Sequence, residues 1–258
     1  MNMGITKIAL KFAAPVPKIE SYSRYLFIGP HPDDIDVGAG ATAAKLAAEG
    51  KEICYLVCTD GRFGEEFTSL GITADELCAM RREEQIRSAA AVGVRDVRFL
   101  GLSDGGLYDY NELVKGIAEV VSDFKPELIL CPDPRVKSEC HPDHLNTGNA
   151  ASTIAFFAPF EKIMKAYGGT GSAPVDAIAY FMTAEPNRFV GTDGFLKHQL
   201  EALFSNHVSQ FPEGNYERKY LELYIKLRAY DFGIRSFHKT AEGFRVLGRT
   251  HMHCLPEA

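Results

Sequence analysis

Five short apolar runs, separated by stretches of helical character, set the fold class of this chain. The runs are Tyr25–Ile28, Ile53–Cys58, Val97–Leu100, Leu128–Cys131 and Ala177–Met182, each of strand length. Helical patterns fall at about 39–49, 74–92, 111–123 and 145–157, and later at 193–206 and 216–230. Strand–helix alternation of this kind predicts an α/β fold, a Rossmann-like three-layer sandwich whose mostly parallel sheet carries helices on both faces. At 258 residues, 46% of them hydrophobic, the chain is long enough for one large core. A single domain over 1–258 is expected, with residues 1–24 wrapping its outside. Residues 232–258 are less periodic, carry Gly233, Gly243, Gly248 and Pro256, and read as a C-terminal arm or edge hairpin.

Several functional classes have no support in this sequence. The net charge of -6 gives no electrostatic case for nucleic acid. No apolar stretch approaches the length of a membrane span. The segment Met1–Pro17 has lysines within its apolar part and no convincing cleavage site, so no signal peptide is read. The six cysteines are scattered and form no CxxC. Cys54, Cys58 and Cys131 lie in strand-like runs, as small buried hydrophobes of a reducing compartment do, and a cytoplasmic location is expected.

In a parallel sheet the carboxyl ends of the strands lie on one side, where open α/β sheets bind ligands. The first run is followed by His31-Pro32-Asp33-Asp34-Ile35-Asp36, the second by Thr59-Asp60-Gly61-Arg62 and the third by Ser103-Asp104-Gly105-Gly106. The fourth leads to Pro132-Asp133-Pro134 and then Cys140-His141-Pro142-Asp143-His144. These polar groups converge on one edge, which is the pattern of an active site. His and Asp are nitrogen and oxygen ligands for zinc, and a turn can aim both at one ion. The plainer alternative is that Asp33, Asp34 and Asp36 cap the following helix and complement its dipole. His141 and His144, three apart at a helix start, can face one point. A His/Asp/His set leaves a fourth position open, as catalytic zinc sites require. Asp33, beside Asp34, is placed to take a proton from water there, and the remaining His to stabilise an oxyanion or protonate a leaving group.

Other features have plain explanations. Gly38-Ala39-Gly40-Ala41-Thr42-Ala43 imitates a dinucleotide fingerprint, with Asp60 where a ribose-binding acid would sit, but eight residues separate it from the strand. Close helix–sheet packing accounts for those glycines. Arg81-Arg82-Glu83-Glu84 lies in a helix as a solvated charged face would. Asp60 and Asp104 sit before glycines, as turn residues do, or serve substrate or site from strand ends. His251-Met252-His253-Cys254 lacks further ligands nearby and reads as surface or interface packing. Cys140 is a small neighbour of His141.

Together these residues resemble the LmbE/PIG-L-type zinc N-deacetylases, whose signatures are His-Pro-Asp-Asp-(Glu) and His-x-x-His. The resemblance runs from about Phe27 to the chain end. It takes in Gly38-x-Gly40, Thr59-Asp60-Gly61, Arg81-Arg82-x-Glu84 before Gly93-Val94, and His141-Pro142-Asp143-His144. Ser209-Gln210-Phe211-Pro212 and Glu242-Gly243-Phe244-Arg245 match its diacetylchitobiose deacetylase branch in particular. The resemblance implies the LmbE-like deacetylase fold, with His31, Asp34 and His144 as ligands of one zinc or other divalent ion. It implies Asp33 as general base, His141 as electrostatic or acid partner, and Arg81 at the sugar. It further implies a homo-oligomer, a trimer or hexamer, in which His253 approaches a substrate pocket, its own or that of a neighbouring copy. The expected reaction is removal of acetyl from N-acetylglucosamine or a short chitooligosaccharide. Alternatives are another GlcNAc conjugate, such as a thiol-precursor glycoside or a GlcNAc lipid, or a non-catalytic sugar-binding module. A pure binder has no need of Asp33, and a two-metal phosphoesterase needs more bridging carboxylates. The Glu frequent in the family is Ile35 here, with Asp36 one place later.

Overall fold

The computed structural model of the protein describes residues 5–68, 70–253 and 255. Cys254 and Pro256 lie outside the described residues. Five strands run parallel: β1 (Arg24–Gly29), β2 (Glu52–Thr59), β3 (Asp96–Leu102), β4 (Leu128–Pro132) and β5 (Ala177–Phe181). Two more, β6 (Arg188–Gly191) and β7 (Ala241–Gly248), complete a sheet of order β3-β2-β1-β4-β5-β7-β6. The helices are α1 (Ile5–Ala13), α2 (Asp34–Ala48), α3 (Ala74–Ala91), α4 (Tyr110–Phe124), α5 (Pro142–Phe157), α6 (Glu161–Ala166), α7 (Leu196–Asn206) and α8 (Tyr216–Ser236).

Strand side chains alternate between faces, and β1 shows how that makes three layers. Leu26 and Ile28 join Leu56, Ile129 and the α4–α5 side chains Ile117, Val121 and Ile154 in one core. Tyr25 and Phe27 point the other way, into a second core with Tyr55, Leu130 and Phe181, closed by Leu46 of α2, Ala89 of α3 and Ala202 of α7. Both sides of the sheet are covered, which is why these strands read as unbroken apolar runs.

The chain end departs from the expected arm or hairpin. Residues 241–248 form β7, wholly buried and inserted between β5 and β6. It runs antiparallel to both neighbours, with Tyr180 opposite Arg245 and Val190 opposite Glu242. Its buried faces hide behind an uneven sequence because Glu242 and Arg245 find partners inside. Arg245 makes a bidentate pair with Asp133, at the end of β4, and stacks 4.1 Å from the Tyr180 ring centroid. The two chain ends also meet: His251 Nε2 lies 2.8 Å from the Ala14 carbonyl oxygen.

Helix α2 begins at Asp34, earlier than its apolar pattern suggests, and is kinked at Ala39 (φ -151°). A Cβ on Gly38 would stand 2.3 Å from the Phe181 ring, so only glycine lets the helix approach the sheet there. The kink frees backbone groups, and two buried side chains satisfy them. Gln199 of α7 donates to the Asp36 and Val37 carbonyls at 2.8 and 3.1 Å, and Glu242 accepts from the N–H groups of Ala41 and Thr42 at 3.2 and 2.7 Å. Burial lifts the Glu242 carboxyl to about 7 against those hydrogen bonds.

Candidate active site

Strand order reverses between β1 and β4, where one half of the sheet grows toward β3 and the other toward β5. Crevices at such switch points, beyond the carboxyl ends of the strands, are where these sheets bind ligands. The two histidine elements lie there, one after β1 and one after β4.

Residues 30–33 carry the chain from β1 into α2. Asp33, at the N-cap, has φ 113°, a region that costs a non-glycine residue about 1–3 kcal/mol and persists only where surroundings enforce it. Its side chain makes no capping bond; it turns instead to Arg81 of α3, whose Nη2 lies 3.1 Å from Asp33 Oδ2. Burial pushes the Asp33 carboxyl up to about 6, with the Arg81 guanidinium pulling the other way. Asp34, the first helical residue, accepts from the His31 backbone N–H at 2.9 Å and meets His31 Nδ1 at 3.0 Å. Its other oxygen lies 3.5 Å from His144 Nε2. Burial disfavours its charge, yet His144 and His31 hold it well below the usual carboxylate range.

After β4, Asp133–Cys140 form a loop to α5, which starts with His141 at the N-cap and Pro142 at the first helical position. His141 Nδ1 accepts from the Asp143 N–H at 3.3 Å, so its neutral ring carries the proton on Nε2. Burial and the neighbouring His31 and His144 lower its pKa, keeping the ring neutral. The three imidazoles cluster, with centroids 4.7 Å apart for His31–His141, 5.4 Å for His31–His144 and 5.2 Å for His141–His144. His144 Nδ1 has Glu139 Oε2 3.1 Å away but out of line for a hydrogen bond.

One nitrogen of His31, one oxygen of Asp34 and one nitrogen of His144 lie within 4.8 Å of one another. Two imidazoles and a carboxylate are a donor set for zinc and similar divalent transition metals, whereas magnesium and calcium favour oxygen alone. The opposite edge of His31 fits this assignment. Its Nε2 is 3.0 Å from Asp143 Oδ2 and 3.1 Å from Asp104 Oδ1, the carboxylate backing that orients ligating histidines. Burial works against a second proton on His31, but the bonds to Asp104, Asp143 and Asp34 prevail and raise its pKa. Asp143 is itself fixed by the N–H groups of Gly105 and Gly106, at 2.8 and 2.7 Å.

The remaining expected site residues fall in different places. Asp104 joins the cluster through His31. Arg81, expected at the sugar, is 5% exposed and donates to the Gly61 and Pro32 carbonyls as well as to Asp33. Asp60 accepts from Arg62 Nε, Nη2 and backbone N–H, as a turn residue would. His253 is exposed and lies 5.6 Å from the Phe156 ring centroid, outside both the His31/Asp34/His144 set and the His31/Asp104/His141/Asp143 group of possible ligands. The sequence reading missed Asp143 as the backing of His31, although His-Pro-Asp stands in both signatures, and missed the buried Gln85, which accepts the Asp33 N–H at 2.8 Å.

Fold and site together fit an enzyme of the hydrolase type, with a His/Asp/His donor set able to hold a metal ion and a buried carboxylate beside it. The sequence profile of the GlcNAc-PI de-N-acetylase (PIG-L) family matches residues 26–155, half of the chain, and the chain belongs to that family. Diacetylchitobiose deacetylase of Thermococcus kodakarensis is 32% identical over 256 residues, which cover 98% of this chain and 93% of that one. The solved N,N'-diacetylchitobiose deacetylase of Pyrococcus horikoshii, in complex with an inhibitor, superposes with TM-score 0.85 at 28% identity, covering 99% of this chain and 97% of that one. GalB, the 4-carboxy-2-hydroxymuconate hydratase of Pseudomonas putida KT2440, shares the fold at TM-score 0.71 and 17% identity, covering 87% of this chain and 96% of its own. One scaffold thus carries different chemistries, and the reaction has to be argued from the site.

Proposed function

We propose that this protein is a zinc-dependent N-deacetylase that hydrolyses the acetamido group of N-acetylglucosamine or a short chitooligosaccharide, releasing acetate and the free amino sugar. The observation that carries the reading is the His31/Asp34/His144 donor set with the Asp33 carboxylate directly beside it. An ion held by those three residues supplies a Lewis acid for the amide carbonyl and lowers the pKa of water. Asp33 takes the proton of the attacking water, and burial keeps its pKa high enough for it to pass that proton on to the departing amine. His141 offers Nε2–H to the developing oxyanion, a role that suits a neutral ring. Arg81 holds the Asp33 carboxylate. The test is acetate release from N-acetylglucosamine, diacetylchitobiose and acetyl-lysine peptides, with and without a chelator. Chelator-sensitive release from the sugars alone is expected; preferential action on the peptides overturns the substrate class.

The protein is also proposed to be a cytoplasmic homo-oligomer. Among the described residues, no helix is long and apolar enough to cross a membrane. The outer face of α8 supports assembly: Tyr216, Tyr220, Leu223, Leu227, Tyr230 and Ile234 are each more than half exposed and recur at helical spacing. Replacing Leu223 and Leu227 by Glu should lower the mass measured by light scattering to that of one chain. An unchanged mass would remove α8 from the interface.

A further inference from the structure

Asp33 keeps an enforced backbone conformation, and few groups are placed to enforce it. Its carbonyl accepts the ordinary helical bond from the Val37 N–H at 2.9 Å. Its carboxylate takes Arg81. Its N–H goes to Gln85 Oε1 at 2.8 Å. The other end of the Gln85 amide donates to Asp36 Oδ2 at 2.9 Å. A backbone N–H can only donate and an ionised carboxylate can only accept, so this carboxamide cannot flip without losing both bonds. Asp36 Oδ2 also accepts from Ser88 Oγ at 2.8 Å and from His207 Nε2 at 2.9 Å. Ser88 lies three residues beyond Gln85 on the same face of α3, and His207 follows α7. Asp36, Gln85, Ser88 and His207 are all buried, and Asp36 lies outside the His31/Asp34/His144 donor set. Three helices therefore meet at one carboxylate oxygen, and among the described residues the Gln85 carboxamide is the side chain that bridges it to Asp33.

We propose that Gln85 is a positioning residue: held by the Asp36–Ser88–His207 cluster, its carboxamide fixes the Asp33 backbone so that the carboxylate faces the attacking water. The proposal rests on the reading of Asp33 as general base. It separates two functions inside one turn. Asp34 is tied to His31 and His144 and does not depend on Gln85, so loss of the strut displaces the base and spares the metal set. It also gives a role to Asp36, which stands one place beyond the position of the family's frequent Glu.

The test is a double-mutant cycle on the metal-loaded enzyme with diacetylchitobiose, reading kcat, KM, metal content and the melting curve. Gln85→Met keeps the side-chain length and removes both hydrogen bonds. It should lower kcat by ~10- to 100-fold, the scale of a misplaced catalytic group, with KM and metal content unchanged. In an Asp33→Asn background the same change should lower kcat by less than about 2-fold, since a residue that acts only through Asp33 has nothing further to remove. Equal losses in both backgrounds, or a wild-type kcat in folded Gln85→Met, overturn the positioning role while leaving Asp33 as base. An Asp33→Asn enzyme with wild-type rate overturns both. If Gln85→Met does not fold, Ser88→Ala replaces it in the cycle. That variant loosens the cluster without touching Gln85 and should show a smaller fall in kcat that likewise disappears in the Asp33→Asn background; an undiminished kcat, or a persisting fall, counts against the strut.

Discussion

The turn after β1 and the loop after β4 supply the two halves of the site. The first runs through residues 30–33 only, and His31, Asp33 and Asp34 are each at most 9% exposed. Its strained residue is held by Gln85, Arg81 and Val37. The second runs over Asp133–Cys140 before α5 begins, and the His141 side chain stays 42% exposed. Asp143, buried under Gly105 and Gly106, anchors it to the first half through His31, and His144 approaches Asp34 at 3.5 Å. The half that carries Asp33, the proposed base, is held by more hydrogen bonds. The half that carries His141 is more open to solvent. Functional groups that need angstrom placement lie where the backbone is over-determined.

The largest expected effect breaks the first half at two adjacent, chemically identical residues. Asp33→Asn should keep the metal nearly stoichiometric and lose a general base worth ~10²–10⁴ in rate. Asp34→Asn should lose metal, because a neutral amide oxygen is a poorer ligand than a carboxylate. Metal content and initial rate on both folded variants decide the matter. If Asp33→Asn loses the metal while Asp34→Asn keeps metal but not activity, the roles are reversed.

A smaller effect is expected where the halves join. Asp143→Asn removes the charge that backs His31 and leaves the Gly105 and Gly106 N–H groups poorly matched. Loss of such a backing carboxylate typically costs ~10–100-fold in metal affinity. Competition with a chromogenic chelator measures it, and unchanged affinity would show that Asp143 does not back His31 as a ligand.

The two halves were also unequally legible. The parallel strands and the helices packed on them were readable because both faces of the sheet are covered, so the central strands β1, β2, β4 and β5 are continuous apolar runs. Strand β7 was not, since its buried Glu242 accepts from α2 N–H groups and its Arg245 pairs with Asp133, partners distant in sequence. Both histidine signatures were visible as motifs at strand ends. Their supports were not, because Gln85 and Ser88 lie on a polar helix that reads as solvated, and His207 carries no motif. Asp60 and Asp104 have the same Asp-Gly sequence, yet one closes its own turn on Arg62 and the other reaches His31. Only the three-dimensional course of the loops separates them.

The smallest expected effect concerns the charge beside the base. Asp33 works as a carboxylate, and its raised pKa means that it is progressively protonated as pH falls through about 6. The rate should therefore drop on the acid side, and any metal bound alongside, being a cation, moves that limb lower. The Arg81 guanidinium has the same sign of effect, since it stabilises the ionised form. Arg81→Gln removes that cation and should move the limb to higher pH by about 1 unit, the lower end of the ~1–3 units an adjacent opposite charge contributes. Arg81→Lys keeps the charge but loses the fork that also holds the Pro32 and Gly61 carbonyls. It should leave the limb in place and lower the plateau rate. The profile of kcat/KM against pH for both variants separates charge from placement. A limb that stays fixed in Arg81→Gln would mean that the acid limb belongs to a group other than Asp33.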